Sequence, residues 1–127
     1  MMNTNINYQL GLLHFAHLLA NVDGVVDDRE KKAMWSIKEK EKIADSVFYE
    51  FEKRIATEKE QEIYEEGVAL LNSCSEEERL CAFVHLYRLA ESDKHVHIKE
   101  VRLLLYGIKE AKIEFDDVIL SSRLANS

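Results

Sequence analysis

The sequence contains no proline and only four glycines among its 127 residues. These two residues most often break helices and mark tight turns, so their scarcity leaves long stretches in which helices can run without interruption. β-Branched residues are scattered, and no stretch alternates apolar and polar side chains as a half-buried strand does. Together these absences predict an all-α protein.

Two further absences indicate the cellular compartment in which the protein works. The two cysteines, Cys74 and Cys81, are too few for a disulfide framework, and we expect both to be reduced and buried. No apolar run approaches the roughly 18 residues that a membrane span needs, and the N-terminus carries no recognisable secretion signal. The sequence therefore predicts a cytoplasmic protein without membrane insertion.

The sequence also lacks a net positive charge and recognisable catalytic motifs. The net charge is −7, and the lysines and arginines between Arg29 and Lys42 alternate with glutamates, which argues against a nucleic-acid partner. The sequence has no glycine-rich phosphate loop, and it places no histidine beside the Cys81 thiol. We therefore expect neither an enzyme nor an organic cofactor.

What the sequence does contain is nearly continuous helical periodicity, which predicts seven helices. The first and fifth are apolar on most sides, so they should lie at the centre of the core. Ser75 and Glu78 form a capping box before the fifth helix, and Asp45 is the predicted N-cap of the third. The predicted ranges are about 6–21, 28–42, 46–55, 58–72, 76–90, 98–110 and 116–125.

One twelve-residue stretch occurs twice, at 19–30 and again at 89–100, with five identical positions. The similarity extends to residues 10–42 and 80–112, where Ile37-Lys38-Glu39 matches Ile108-Lys109-Glu110 with a shift of one residue. In each copy an apolar helix, an acidic turn and an amphipathic helix follow one another. We call the two acidic turns, within residues 19–30 and 89–100, the first and the second corner. We therefore predict a single domain, residues 1–127, built as a seven-helix bundle of two pseudo-symmetric helical-hairpin halves.

The first corner joins helix-capping residues to one residue that capping does not explain. Gly24 suits the left-handed residue after a helix, and Asp27 with Glu30 forms a cap for the next helix. Asp23, however, opposes the dipole of the helix that it ends, at a cost of about 0.3–1 kcal/mol. A bound cation would remove this cost, so Asp23, Asp27 and Glu30 are candidate ligands for Ca²⁺, Mg²⁺ or Mn²⁺.

The second corner keeps Asp93 and Glu100 but has Lys94 and His97 in place of Gly24 and Asp27. An imidazole with carboxylates suits Zn²⁺, which makes Asp93, His97 and Glu100 a second candidate set. The alternative is a copy that has lost its site and whose histidines face solvent.

Three other histidines are predicted to be structural. His14 and His17 lie three residues apart on the first helix, but no carboxylate follows in register with them. We expect both to be buried or half-buried, and we expect the same of His85.

The repeated pattern, an apolar helix ending in L-A-x-x-D-G-x-V-D-x-x-E, resembles the tellurite-resistance TerB-like family. Over Leu19–Glu30 the match includes Asp23, Asp27 and Glu30, and in the second half it includes Asp93 and Glu100. The resemblance implies a bacterial, cytoplasmic, all-helical domain of two similar halves whose acidic residues bind divalent metal. Related domains occur in stress-response systems and in some DnaJ-type co-chaperones.

The sequence thus leads to a divalent-metal-binding or metal-sensing module of a stress (tellurite) response, with Ca²⁺, Mg²⁺, Mn²⁺ or Zn²⁺ as the ion. We also expect a protein partner. The alternative is a protein–protein interaction domain whose acidic corners are purely structural.

Overall fold

The computed structural model of the chain describes residues 5–21, 28–91 and 98–125. These residues form seven α-helices and no strand, so the all-α prediction is confirmed. None of the helices combines the length and apolarity that crossing a membrane requires. The helices are α1 (Ile6–Asn21), α2 (Asp28–Lys40), α3 (Asp45–Ile55), α4 (Glu60–Asn72), α5 (Glu76–Glu91), α6 (Ile98–Glu110) and α7 (Phe115–Ala125).

Helix α1 lies at the centre of the bundle, as its all-round apolar sequence predicts. It packs most extensively against α4 and also contacts α2 and α5. The rings of Phe15 on α1 and Phe83 on α5 meet edge to face, with centroids 5.3 Å apart. Both rings are almost completely buried, which fixes α1 against α5.

The helix bounds repeat with a constant spacing of 70 residues: α1, α2 and α3 begin and end 70 positions before α5, α6 and α7. With this spacing Ile37 corresponds in position to Gly107, so the match of Ile37-Lys38-Glu39 with Ile108-Lys109-Glu110 is one residue out of register, as the sequence indicated. The packing is less regular, since α1 packs chiefly against α4 whereas α5 packs chiefly against α7. The superposition of residues 10–42 on 80–112 stays a prediction.

Helices α2 and α6 end in the same type of turn. After α2 the amide of Ile43 donates to the carbonyl of Lys38 (2.9 Å) and that of Lys42 donates to the carbonyl of Glu39 (3.3 Å), which is a Schellman motif. The left-handed residues of the two turns are Lys42 (φ 51°) and Lys112 (φ 59°), again 70 positions apart. Two lysines therefore occupy a conformation that glycine adopts at lower cost.

The structure confirms one predicted cap and corrects the other. The amide of Ser75 donates to Glu78 Oε1 (2.9 Å) and the amide of Glu78 donates to Ser75 Oγ (3.2 Å), which is the predicted capping box. Asp45, in contrast, is the first residue of α3, and Ala44 at the N-cap makes no side-chain capping bond. The Asp45 carboxylate pairs with Lys38 instead, and this contact holds the pKa of Asp45 below its usual range.

Candidate functional sites

The predicted metal ligands lie outside what the structure describes. Asp23, Asp27, Asp93 and His97 fall in the undescribed segments 22–27 and 92–97. Glu30 and Glu100 belong to α2 and α6, but their side chains are not among those described. The metal prediction at the two corners therefore stays a prediction.

Within the described residues, a histidine meets carboxylates at two places. We call them the His14 cluster (His14, Arg54, Glu58 and Glu66) and the Cys81 cluster (Tyr8, Glu41, Cys81 and His85).

The His14 cluster begins with a histidine on the most buried helix. The His14 side chain is fully buried, and its Nδ1 lies 2.5 Å from the carbonyl oxygen of Leu10, one turn earlier. A carbonyl can only accept, so Nδ1 carries the proton, and in the neutral ring the lone pair belongs to Nε2. Nε2 lies 3.4 Å from Glu66 Oε2 on α4. The backbone thus fixes the tautomer that leaves a coordinating nitrogen towards the carboxylate.

A glycine allows α4 to come this close. A Cβ built at Gly67, next to Glu66, would stand 3.1 Å from His14 Cβ and 3.2 Å from a ring carbon of Phe15. Such contacts are tighter than ordinary van der Waals packing, so a larger residue would push α4 away from α1. Gly67 therefore contributes to the short distance between the His14 imidazole and the Glu66 carboxylate.

Two carboxylates share one guanidinium in this cluster. Arg54 on α3 pairs with Glu66 through Nη2, and its Nε lies 3.1 Å from Glu58 Oε1 in the α3–α4 turn. Glu58 Oε2 is buried and has no hydrogen-bond donor among the described residues. Burial and then the neighbouring Glu66 carboxyl raise the pKa of Glu58, against the opposing effect of Arg54. The cluster thus holds more negative charge than its one arginine balances.

Donor atoms of His14, Glu58 and Glu66 all lie within 4.8 Å of one another. A cleft of about 380 Å³, lined by residues of α1 and α3 that include His14 and Arg54, lies on the same side. The Arg54 side chain is 55% exposed, so displacing it would require little rearrangement of the core.

The Cys81 cluster joins α1, the end of α2 and α5. Tyr8, fully buried on α1, has its hydroxyl 3.3 Å from Glu41 Oε1 and 3.3 Å from Cys81 Sγ. His85 Nε2 lies 2.7 Å from Glu41 Oε1, and His85 is also hydrogen-bonded to the Cys81 thiol. Gln9 on α1 donates to the carbonyl oxygen of Glu41 (3.3 Å), which ties the α2 turn to α1.

The partners of this cluster shift its pKa values in opposite directions. The hydrogen bond with His85 lowers the pKa of Cys81, and burial opposes that effect. Hydrogen bonds to Cys81 and then to Glu41 raise the pKa of His85 to about 9, again against burial. Burial is also the chief cause that raises the pKa of Tyr8. A thiolate and an imidazolium therefore stabilise each other, and the Tyr8 phenol remains a neutral donor.

The structure bears on the burial predicted for three histidines and both cysteines. His14 is buried and His17 and His85 are half-buried, as predicted. Cys74 is buried as predicted, but the same prediction for Cys81 is wrong, because Cys81 is exposed. The spacing of four residues between Cys81 and His85 was the signal that could have found this pair, since it places both on one face of a helix.

The His14 cluster offered no comparable signal. Glu58 and Glu66 lie 44 and 52 residues from His14, so only tertiary packing brings them together.

Comparison of the chain with protein-family models, curated proteins and solved structures found no match.

Proposed function

We propose that the protein binds a divalent transition-metal ion, with Zn²⁺ first among them, through His14, Glu58 and Glu66. The observation that carries the proposal is the convergence of a buried imidazole Nε2 with two carboxylates in the His14 cluster. One imidazole and two carboxylates are a donor set that Zn²⁺ accepts, and three protein ligands leave a position for water or for another ligand.

Two details of the cluster fit such an ion. Ligands about 2.0–2.1 Å from a tetrahedral Zn²⁺ lie roughly 3.3 Å apart, and His14 Nε2 lies 3.4 Å from Glu66 Oε2. Glu58 Oε2 is buried without a donor from the described residues, and a cation would satisfy it. When bound, the ion would supply Lewis acidity and would link α1 to the α3–α4 turn and to α4.

The resemblance to TerB-like proteins extends the proposal. It supports a role as a cytoplasmic metal-binding or metal-sensing module of a stress response, with Asp23, Asp27 and Glu30 as a separate ion site at the first corner. The second corner, with Asp93, His97 and Glu100, is the third place where an ion would bind.

A protein partner is also part of the proposal. Trp35 on α2 and Tyr49 on α3 are 53% and 59% exposed, and aromatic side chains of this kind are enriched in protein interfaces. These exposed aromatics favour the alternative function, a protein-interaction domain in which the acidic corners only cap helices.

Thermal melting in chelator and then in Zn²⁺, Mn²⁺, Ca²⁺ or Mg²⁺, with calorimetric titration, tests the metal site. A ligand at a hundredfold excess over Kd stabilises the fold by about 2.7 kcal/mol, so Zn²⁺ should raise Tm. Glu58→Gln and Glu66→Gln keep the size of each side chain but remove a charged ligand, and both should lose most of this gain. Glu62→Gln, on an exposed part of α4, is the matched control and should keep it.

Each other outcome has a definite meaning. An equal Tm for the wild-type protein in all these buffers would refute metal binding. The alternative function, a protein-interaction domain, would then stand. A Zn²⁺ response that survives both variants would refute the His14 cluster. If Asp23→Asn alone abolishes the response, the ion is bound at the first corner.

A further inference from the structure

The Cys81 cluster has no part in the proposed metal site, yet it holds an accessible thiol. Cys81 lies on α5 with its side chain exposed, whereas the other cysteine, Cys74, is buried. His85 follows one helical turn later on the same face. A cysteine at the protein surface therefore lies beside a basic side chain.

Three different elements shape the surroundings of this sulfur. The Tyr8 hydroxyl of α1 lies 3.3 Å from Cys81 Sγ, and the His85 imidazole of α5 is hydrogen-bonded to it. Glu41, in the turn after α2, pairs with the imidazole, with 2.7 Å between Glu41 Oε1 and His85 Nε2. A carboxylate that orients a histidine, which in turn contacts a thiol, is the arrangement that activates nucleophilic cysteines.

We propose that Cys81 is a thiolate modification site at which hydroperoxides oxidise the sulfur to a sulfenic acid, with His85 as the proton donor to the leaving group and Tyr8 as a positioning residue. The Tyr8 hydroxyl donates a hydrogen bond to the thiolate, and Glu41 holds His85 in place.

The step balances with a hydroperoxide as the only added reactant. The thiolate sulfur attacks one peroxide oxygen, so that an S–O bond forms and the O–O bond breaks. The sulfur loses two electrons and the peroxide gains them. The leaving group, hydroxide from hydrogen peroxide or alkoxide from an organic hydroperoxide, takes the proton of the His85 imidazolium. It departs as water or as the alcohol, which leaves Cys81 as a sulfenic acid and His85 neutral.

Cys74 supplies an internal comparison. Burial raises the pKa of Cys74, and its sulfur accepts a long hydrogen bond from Asn5 (3.7 Å) without a histidine nearby in the described contacts. A protonated, buried thiol reacts slowly with peroxide and with alkylating agents. The two cysteines of one folded chain should therefore differ strongly in reactivity.

The test measures the rate at which each cysteine of the folded, full-length protein reacts, resolved by peptide mass spectrometry. Iodoacetamide reports the thiolate fraction as a function of pH, and hydrogen peroxide followed by dimedone traps the sulfenic acid. At pH 7, Cys81 should be alkylated about three- to tenfold faster in the wild type than in His85→Gln, because an ordinary cysteine is only a few per cent ionised there. Dimedone labelling should fall in the same proportion, and Tyr8→Phe should lower both rates.

His17→Gln is the matched control, since it removes an α1 imidazole that is outside the Cys81 cluster, and it should leave both rates unchanged. If Cys81 shows the same pH profile in the wild type and in His85→Gln, or if peroxide gives no dimedone adduct at Cys81, the proposal is wrong. Circular dichroism checks that each variant is folded. If His85→Gln does not fold, the pH dependence of Cys81 alkylation in the wild type tests the proposal. An alkylation rate that still rises through pH about 8.5, as for an ordinary thiol, would overturn it.

Discussion

His85 Nε2 lies 2.7 Å from Glu41 Oε1, so a histidine of α5 is paired with the turn that ends α2. The pKa of His85 is raised to about 9, first by Cys81 and then by Glu41. We expect the His85 ring to titrate near pH 9 in an NMR titration of the wild type. Cys81→Ser and Glu41→Gln should each lower this value, since each removes a group that favours the imidazolium. Unchanged midpoints in both variants would refute the pairing.

The same pairing should make stability depend on pH. Because folding raises the pKa of His85 from 6.5 to about 9, its stabilising contribution is complete below pH 6.5 and is lost as the pH rises through about 9. The Cys81 thiol acts in the opposite sense, since its lowered pKa adds stability above 9.0 that is lost as the pH falls through the folded value. Urea unfolding in a Cys81→Ser background isolates the histidine. Between pH 6.5 and the NMR midpoint of His85 in Cys81→Ser, the free energy of unfolding of Cys81→Ser should fall relative to that of Cys81→Ser/His85→Gln. If the two free energies change with pH in parallel, the prediction is wrong.

Arg54 should compete with a metal ion for the two carboxylates of the His14 cluster. Its guanidinium contacts Glu58 and Glu66, and it is about half exposed. We expect Arg54→Gln to lower stability in chelator by up to about 1 kcal/mol and to strengthen Zn²⁺ binding severalfold in calorimetry. Lys53→Gln changes the charge of α3 equally and is the control. Equal Zn²⁺ affinity in the two variants would show that Arg54 does not compete with the metal ion for Glu58 and Glu66.

The capping box before α5 gives a direct stability test. Ser75→Ala removes the acceptor for the Glu78 amide, and we expect a loss of about 0.5–2 kcal/mol in denaturant unfolding. Ser46→Ala, at an exposed position in the first turn of α3, should change stability by less than about 0.5 kcal/mol. Equal effects at the two serines would argue that the cap contributes no stability.

The left-handed turn residues predict a stabilising substitution. Lys112 has φ 59°, where a side chain is disfavoured and glycine is not. Lys112→Gly should therefore stabilise the fold by about 0.5–1 kcal/mol, after the greater backbone entropy of glycine in the unfolded chain is taken into account. Lys112→Ala keeps a Cβ and should give no such gain in urea unfolding. A gain from alanine as large as that from glycine would point to the loss of lysine charge as the cause.

Local signals in the sequence were sufficient for most of the fold. The bounds of α1 and α6 were predicted correctly, and the Ser75–Glu78 box was found, because caps and helical periodicity depend on neighbouring residues. Asp45 was misassigned because its contact with Lys38 depends on how α2 meets α3. The match of Ile37-Lys38-Glu39 with Ile108-Lys109-Glu110 is offset by one residue, whereas the helix bounds and the left-handed residues Lys42 and Lys112 keep the 70-residue spacing.

The sites were harder to predict, since their residues come from distant parts of the chain. Glu66 reaches His14 only because Gly67 lets α4 approach α1, and no periodicity in the sequence encodes that contact. The i, i+4 spacing of Cys81 and His85 is visible in the sequence, but Glu41 and Tyr8 join them from other helices. The acidic corners, which stand out most in the sequence, lie outside the described residues.

The central place of α1 has a consequence for the chain while it is being made. Its apolar surface is covered by α4 and α5, and α5 ends at Glu91, 70 residues after α1 ends at Asn21. At about 5–20 residues per second, a ribosome needs roughly 4–14 s to add those residues. Until that interval ends, the nascent chain carries a hydrophobic helix of 16 residues that α2 and α4 can cover only in part, the kind of segment that chaperones bind.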